Sequence, residues 1–440
     1  MRVTCIVRVL PALCFLIAGS VRGGEGPALA EFSRRRARLS TLLDTTSAAV
    51  FRSADTRTRN GDVNYPYRQE SSLLYLSGIN RPNAALLVAP GGVVIGDTVA
   101  RIVLFVQPDS GRLRAIEDGI TLDWSRFGEV LGALCPRVET LYASSFSPAF
   151  IHDWLNGKPL FVERESRREL ERRFPNLKVK NTGPLLAKLR AYKSAAEVEQ
   201  IRRAIRITGD GLRRAMAVCA PGAVEYELQA ALEGEFLRQG ASGPAFPSIV
   251  GSGANSLILH YDLNRRTMRS GDVVVMDVGA EVDGYAADIT RTLPVGGKFS
   301  REQREIYAAV RQAQKDVLAR IRPGLPWSEL DATGKSSLSA RGFGKYWRHG
   351  LSHHLGLDVH DSGVMDTLRA GMVITLEPGI YVPVEDTVLA PGYRGVGIRL
   401  EDDILVTEGG CVMLSESIPR EADEIEKLMQ GRRKKTARSR

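Results

Sequence analysis

The sequence predicts an α/β protein of the α+β kind, folded as two domains in tandem. Three observations carry that expectation. At 440 residues the chain is too long for one ordinary hydrophobic core. Its 43% apolar and 25% charged residues are the balance of a soluble globular chain, not of a disordered one. Finally, apolar runs of strand length alternate with stretches of helical periodicity, and the pattern changes character at Ser194.

Residues 1–22 read as an export signal. Arg2 and Arg8 precede an apolar run from Val9 to Ala18, and the small residues Ala18, Gly19 and Ser20 close it. That run is shorter than the roughly 20 apolar residues needed to span a bilayer. A mitochondrial presequence is the alternative, since no acid precedes Glu25. Such presequences are amphipathic, whereas this stretch is apolar all round.

The first domain is expected over residues 30–180. It opens with an amphipathic helix over 29–50, followed by strands at Ala85–Val88, Val93–Ile95 and Ile102–Phe105, with Gly91-Gly92 as a hairpin turn between the first two. Helical stretches at 124–134 and 166–173 lie among further strands. The segment Val179–Pro184 is expected as a linker, broken by Gly183-Pro184.

The second domain is expected over 190–420. Ser194-Ala-Ala-Glu197 has the spacing of a capping box, in which the hydroxyl accepts from a first-turn N–H and the carboxylate reaches back. Val198, Ile201 and Ile205 continue at helical spacing, and a second helix after Pro221-Gly222 carries Leu228, Leu232 and Phe236 on one face. Strands near 246–261, 272–280 and 285–293 follow, then helices near 300–321 and 328–341.

The net charge of +9 is not spread over the fold. Residues 431–440 hold six positive charges and no negative one. With the first 30 residues also set aside, the body is left near neutral. Residues 421–440 are therefore read as a solvated basic tail, with no nucleic-acid partner and no stable membrane anchor expected. Beyond the signal, Cys135, Cys219 and Cys411 are odd in number and widely spaced. They suggest buried fillers, not a disulfide framework or a thiolate metal site.

The chemistry lies in the second domain. Val273-Val-Val-Met276 delivers Asp277, Asp283-Gly284 makes a two-residue turn, and the chain returns through Asp288-Ile-Thr290. Such a turn pairs position 277 with position 290, which puts Asp277 and Asp288 on one face of a hairpin. Taken singly, either aspartate could be a strand-end acid bonded to backbone. Together, in apolar surroundings, they call for a cation. Glu377 ends a strand before Pro378-Gly379, Glu401 lies in Arg399-Leu-Glu-Asp-Asp403, and His349, His353, His354 and His360 fall within twelve residues. Carboxylates with one imidazole suit two hard or borderline divalent ions, manganese before zinc or cobalt.

These segments, with Leu376-Glu-Pro-Gly379 and the first-domain motifs Tyr65-Pro-Tyr-Arg-Gln69 and Tyr75-Leu-Ser-Gly78, resemble the pita-bread metallopeptidases, and among them the aminopeptidase P (Xaa-Pro aminopeptidase) family. The resemblance spans roughly residues 30–420. It implies a creatinase-like N-terminal domain before a pita-bread catalytic domain. It further implies hydrolysis of the bond before a penultimate proline, by attack of a hydroxide bridging two metals. The ligands would be Asp277, Asp288, His353, Glu377 and Glu401, with Asp288 and Glu401 bridging. Glu377 would also be general base, His260 would stabilise the tetrahedral intermediate, His360 would contact the proline-side carbonyl, and Arg399 and Tyr381 would stand behind the ligands. Peptides with proline second would be the partners, and dimers or tetramers the assembly. Prolidase, which cleaves only dipeptides, is the alternative enzyme; a peptide-binding pita-bread protein without catalysis is the non-enzymatic one. His349 is expected to shape the site, His354 to be structural or exposed, and His152 to lie at the surface. Arg399 and Glu401 alternate along a strand, so a direct ion pair between them is expected.

Overall fold

The computed structural model describes residues 29–95, 97–107, 119–127, 140–143 and 178–436. The signal segment, His152, Cys135 and the helical stretch 166–173 lie outside the described residues, as does most of 124–134, of which Trp124–Arg126 forms one 3₁₀ turn.

The first half is a mixed sheet backed by helices. Helix α1 (Leu29–Thr41) is followed by β1 (Ser47–Arg52), the outer ribbon β2 (Thr58–Asn60) and β3 (Val63–Asn64), helix α2 (Ser71–Ser77), and strands β4 (Ala84–Ile95), β5 (Thr98–Val106), β6 (Ile120–Asp123), β7 (Thr140–Ala143) and β8 (Lys178–Asn181). The sheet order is β6-β5-β4-β1-β7-β8. Three expectations are corrected here. The opening helix stops at Thr41, because the Asp44 carboxylate accepts from Thr46 and Ser47 and turns the chain into β1, which is buried throughout. Gly91-Gly92 is no hairpin turn but part of a bulge inside β4. The strand pairs with β5 on both sides of it, at Val88–Ile102 and Val93–Ala100, and reverses only after Ile95. The expected linker at 179–184 is instead edge strand β8 running into helix α3 (Gly183–Arg190), with Pro184 in the first turn, where its missing N–H costs nothing.

The second half begins with α4 (Ala195–Val218) and α5 (Glu225–Arg238). The capping box at Ser194 is formed, with the Ser194 Oγ accepting from Glu197 N and the Glu197 carboxylate from Ser194 N. Leu228, Leu232 and Phe236 are fully buried. Strands β9 (Gly243–Pro244), β10 (Ile249–Ser252), β11 (Val273–Val278), β12 (Ala280–Val282), β13 (Tyr285–Ala286) and β14 (Ile289–Pro294) follow, then α6 (Arg301–Leu318) and α7 (Ser328–Ser339). The expected long strand at 246–261 ends at Ser252 and gives way to a 3₁₀ turn over Gly253–Leu257. The last strands are β15 (Val373–Leu376), β16 (Gly379–Val382), β17 (Val396–Arg399), β18 (Asp402–Thr407) and β19 (Gly410–Met413), before helix α8 (Ala422–Thr436). What was expected to be tail from residue 421 thus starts as a docked helix. Ile425 and Met429, one turn apart, are buried in the core.

These short strands make the curved sheet layer of a pita-bread fold. The order β10-β11-β14 lies in one half and β15-β18-β19 in the other. The halves meet where Glu401 N donates to Thr290 O and Thr292 Oγ1 donates to Arg399 O. No helix among the described residues is long and apolar enough to cross a membrane.

Candidate active site

The predicted hairpin register is the observed one. Asp277 pairs with Thr290 and Val278 with Ile289, and Asp283 and Gly284 both hold positive φ, +51° and +85°, as a two-residue hairpin turn of type I′ requires. Asp277 and Asp288 accordingly reach one cavity. The other strands bring in the rest. Glu377 follows β15 and its N–H donates to Leu351 O, while Glu401 sits in the break between β17 and β18. His353 is fixed at its backbone, donating from N to Thr375 Oγ1 and accepting at O from Thr375 N.

All five residues line a cavity of about 280 Å³. His260 and His360 line it too, and Phe246, Pro247, Ile249 and Val359 form its apolar wall. Donor atoms of Asp288, His353 and Glu401 lie within 4.8 Å of one another. The His353 Nε2 is 3.5 Å from an Asp288 oxygen and 3.4 Å from a Glu377 oxygen. One oxygen of Asp277 pairs with Arg399, at 2.6 Å.

The electrostatics of the cluster are those of a cation site. Burial, then the neighbouring Glu401 and Asp277, pushes the Asp288 carboxyl well above the carboxylate range. Burial and Glu377 do the same to Glu401, and burial above all raises Glu377 to about 8. Burial lowers His353 to about 4, so its imidazole is a neutral donor at physiological pH. Asp277 Oδ1 and Asp288 Oδ1 are buried with no hydrogen-bond partner. Buried acceptors left unpaired in this way fit coordination by divalent ions, which would also relieve the repulsion among four acids.

Behind the acids stands a second layer. Arg399 donates to Asp277 Oδ2, to Tyr381 Oη at 2.7 Å and to Thr290 Oγ1 at 3.2 Å. Thr290 in turn donates to Glu401 Oε2 at 2.7 Å. The direct Arg399–Glu401 pair expected from strand alternation is therefore not made. The strand breaks between the two residues, so the guanidinium turns to Asp277 and reaches Glu401 through a hydroxyl. His349 lies in a loop, 2.8 Å from Tyr381 Oη and 3.5 Å from Glu377 Oε2, which places it at the site. His354 is buried, not exposed, tilted against Trp327 at 4.9 Å with Nε2 facing Val364 O.

Some contributors escaped the sequence reading. Thr290 and Thr375 orient Glu401 and Glu377, and Asp403 accepts from Asp288 N at 3.2 Å. Asp402 pairs with Arg291 at 2.8 Å, both fully buried. An arginine inside the expected strand near 285–293 was the one available signal, since a charge in a buried strand needs a partner.

Fold and donor set together define a metal-dependent hydrolase with a carboxylate-rich centre. Residues 199–408 match the metallopeptidase family M24, and residues 32–130 match the aminopeptidase P N-terminal domain. The chain belongs to metallopeptidase family M24, with the two-domain arrangement of aminopeptidase P. It is 38% identical to the Xaa-Pro aminopeptidase of Escherichia coli over 92% of this chain and 98% of that protein. It is 32% identical to the mitochondrial intermediate cleaving peptidase 55 of Arabidopsis thaliana, over 92% of this chain and 83% of that one. The solved structure of E. coli aminopeptidase P with the inhibitor Pro-Leu superimposes with a TM-score of 0.80 at 35% identity, covering 93% of this chain and all of that one.

Proposed function

We propose that the protein is a metal-dependent Xaa-Pro aminopeptidase, which releases the N-terminal residue of peptides whose second residue is proline. The observation that carries this reading is the convergence of Asp277, Asp288, His353, Glu377 and Glu401 on one cavity. It occurs in a chain similar over nearly its whole length to a Xaa-Pro aminopeptidase. Those five residues would hold the metal, two divalent ions by this reading, manganese before zinc or cobalt. When bound, the ions supply Lewis acidity and lower the pKa of a coordinated water.

The chain's own groups do the rest. Glu377, whose burial makes it hold a proton strongly, takes the proton of the attacking water and passes it to the departing proline nitrogen. His260 donates to the oxygen of the tetrahedral intermediate, and His360 to the carbonyl on the proline side. Arg399, itself bonded to the Tyr381 hydroxyl, holds Asp277 in place. The apolar wall of Phe246, Pro247 and Ile249 suits a side chain and a pyrrolidine ring.

Turnover of a Xaa-Pro-Xaa tripeptide beside a Xaa-Pro dipeptide tests the assignment. The tripeptide is expected to be cleaved; cleavage of the dipeptide alone would make the protein a prolidase. Metal analysis of the purified protein, followed by reloading with manganese, zinc or cobalt, tests the cofactor. We also propose export, on the apolar N-terminal segment, and a homo-oligomer. Fractionation of cells and light scattering check these, with a mitochondrial address as the other outcome, as in the relative named above.

A further inference from the structure

His360 lines the cavity yet has no hydrogen-bond partner for its ring among the described residues; its nearest ring is His353, at 4.4 Å between centroids. Its place therefore depends on the backbone that carries it. That backbone is a small closed loop, in which Asp361 N donates to His354 O. The acids flanking Val359 and His360 are both held by one group. Arg190 Nη2 pairs with Asp358 Oδ2 at 2.8 Å and also with Asp361 Oδ1. Lys193 Nζ lies 3.1 Å from the other Asp361 oxygen. The side chains of Arg190, Lys193 and Asp361 are 3%, 1% and 2% exposed, so solvent screens the two pairs to Asp361 little, while Asp358 is 42% exposed. Gly356 makes room for the clasp, because a Cβ there would stand 2.1 Å from Asp361 Oδ2.

The clasp is tied to the first half of the molecule through the end of α3 and the connector that follows it. Arg190 ends α3, whose Leu189 O accepts from Tyr75 Oη. Ser71 Oγ donates to Asp358 Oδ1 at 2.6 Å, and Arg68 donates to Leu357 O while pairing with Glu281. Arg190 and Lys193 fall between the two family matches, which end at residue 130 and begin at residue 199.

We propose that Arg190, assisted by Lys193, is a positioning residue for His360, so that the N-terminal half sets the substrate-facing histidine of the catalytic half. The catalytic consequence rests on the function proposed above. Arg190 holds both carboxylates through Nη2, at the far end of a rigid planar guanidinium, whereas a lysine ammonium is a flexible point charge that does not reproduce that placement. Arg190→Lys keeps the charge balance of the buried cluster and loses the planar, rigid placement of Nη2 between the two acids, which makes it the variant of choice over Arg190→Met.

Two readouts decide. In the zinc-loaded full chain labelled with carbon-13 at histidine Cε1, the His360 signal is assigned by its loss in His360→Ala. Arg190→Lys is expected to move or split that signal and leave the His260 signal in place. In the assay, Arg190→Lys lowers kcat/KM for the tripeptide about tenfold, the range found for groups that orient functional side chains. It has no further effect in the His360→Ala background. Losses that multiply in the double variant, or an unmoved His360 signal, would overturn the proposal. A wild-type chain that cleaves no Xaa-Pro peptide would instead overturn the function, leaving the histidine signals to decide the positioning.

Discussion

The two loops that present histidines to the cavity are held in opposite ways. Residues 253–266, which carry His260, are stapled within the catalytic half by one buried acid. Glu225 accepts from Ser252 N and Oγ, from Tyr261 Oη and from Arg266 N. Residues 354–361, which carry His360, are held by Arg68 and Ser71 of the first half and by Arg190 and Lys193 at the junction of the halves. One wall of the site is therefore a property of the pita-bread layer itself. The other depends on how the N-terminal half docks, which gives that half a part in the chemistry.

The largest effect is expected where both loops converge. Glu377→Gln should lower kcat by about 10²–10⁴, the usual contribution of a general base, with tripeptide turnover as the measurement. It sets the floor against which loop variants are read. Arg291→Leu should come next, because it removes the fully buried partner of Asp402 and leaves that acid only its longer ion pair with Arg420, at 3.4 Å. The expected cost is about 3–5 kcal/mol of stability, measured by urea unfolding. Since Arg291 also donates to the backbone oxygens of Thr290 and Glu401, both histidine signals should move together. Movement of one alone would mean that the centre is less shared than the comparison holds.

Glu225→Gln tests the other side. It keeps the shape of the staple and loses its charge, so kcat/KM is expected to fall about tenfold with the His260 signal displaced and that of His360 untouched. A displaced His360 signal would break the comparison. The smallest effect concerns metal retention and pH. Glu377 holds its proton up to about pH 8, and Asp288 and Glu401 are raised as well. A metal must displace those protons, so apparent affinity rises with pH and falls as pH drops from 8 towards 6. Competition with a chelator at pH 8, 7 and 6 measures it; a flat profile would remove the carboxyl protons from the binding equilibrium.

Much of this was legible in the residues. The Asp283-Gly284 turn sets the register of β11 and β14, so the shared face of Asp277 and Asp288 followed from a period of two and the length of one turn. The capping box at Ser194 and the apolar face of α5 followed from spacing alone. Local patterns missed what long-range partners decide. Arg399 alternates with Glu401 and yet pairs with Asp277, because the chain breaks at Leu400 and the guanidinium meets an acid 122 residues away in sequence. Gly91-Gly92 has the composition of a turn, but β5 keeps pairing past it and absorbs the extra residues as a bulge.

The sequence by itself determined the donor types, their placement at strand ends and the two-domain order, since these follow from side-chain chemistry and from periods of two and 3.6 residues. Tertiary structure alone decided which acid meets which base. Arg190 and Lys193 sit next to a helix cap and look like ordinary connector residues; only docking of the two halves brings them to Asp358 and Asp361. The physical reason is that a buried charge must find its partner wherever the fold brings one close, at a distance along the chain that no local pattern encodes.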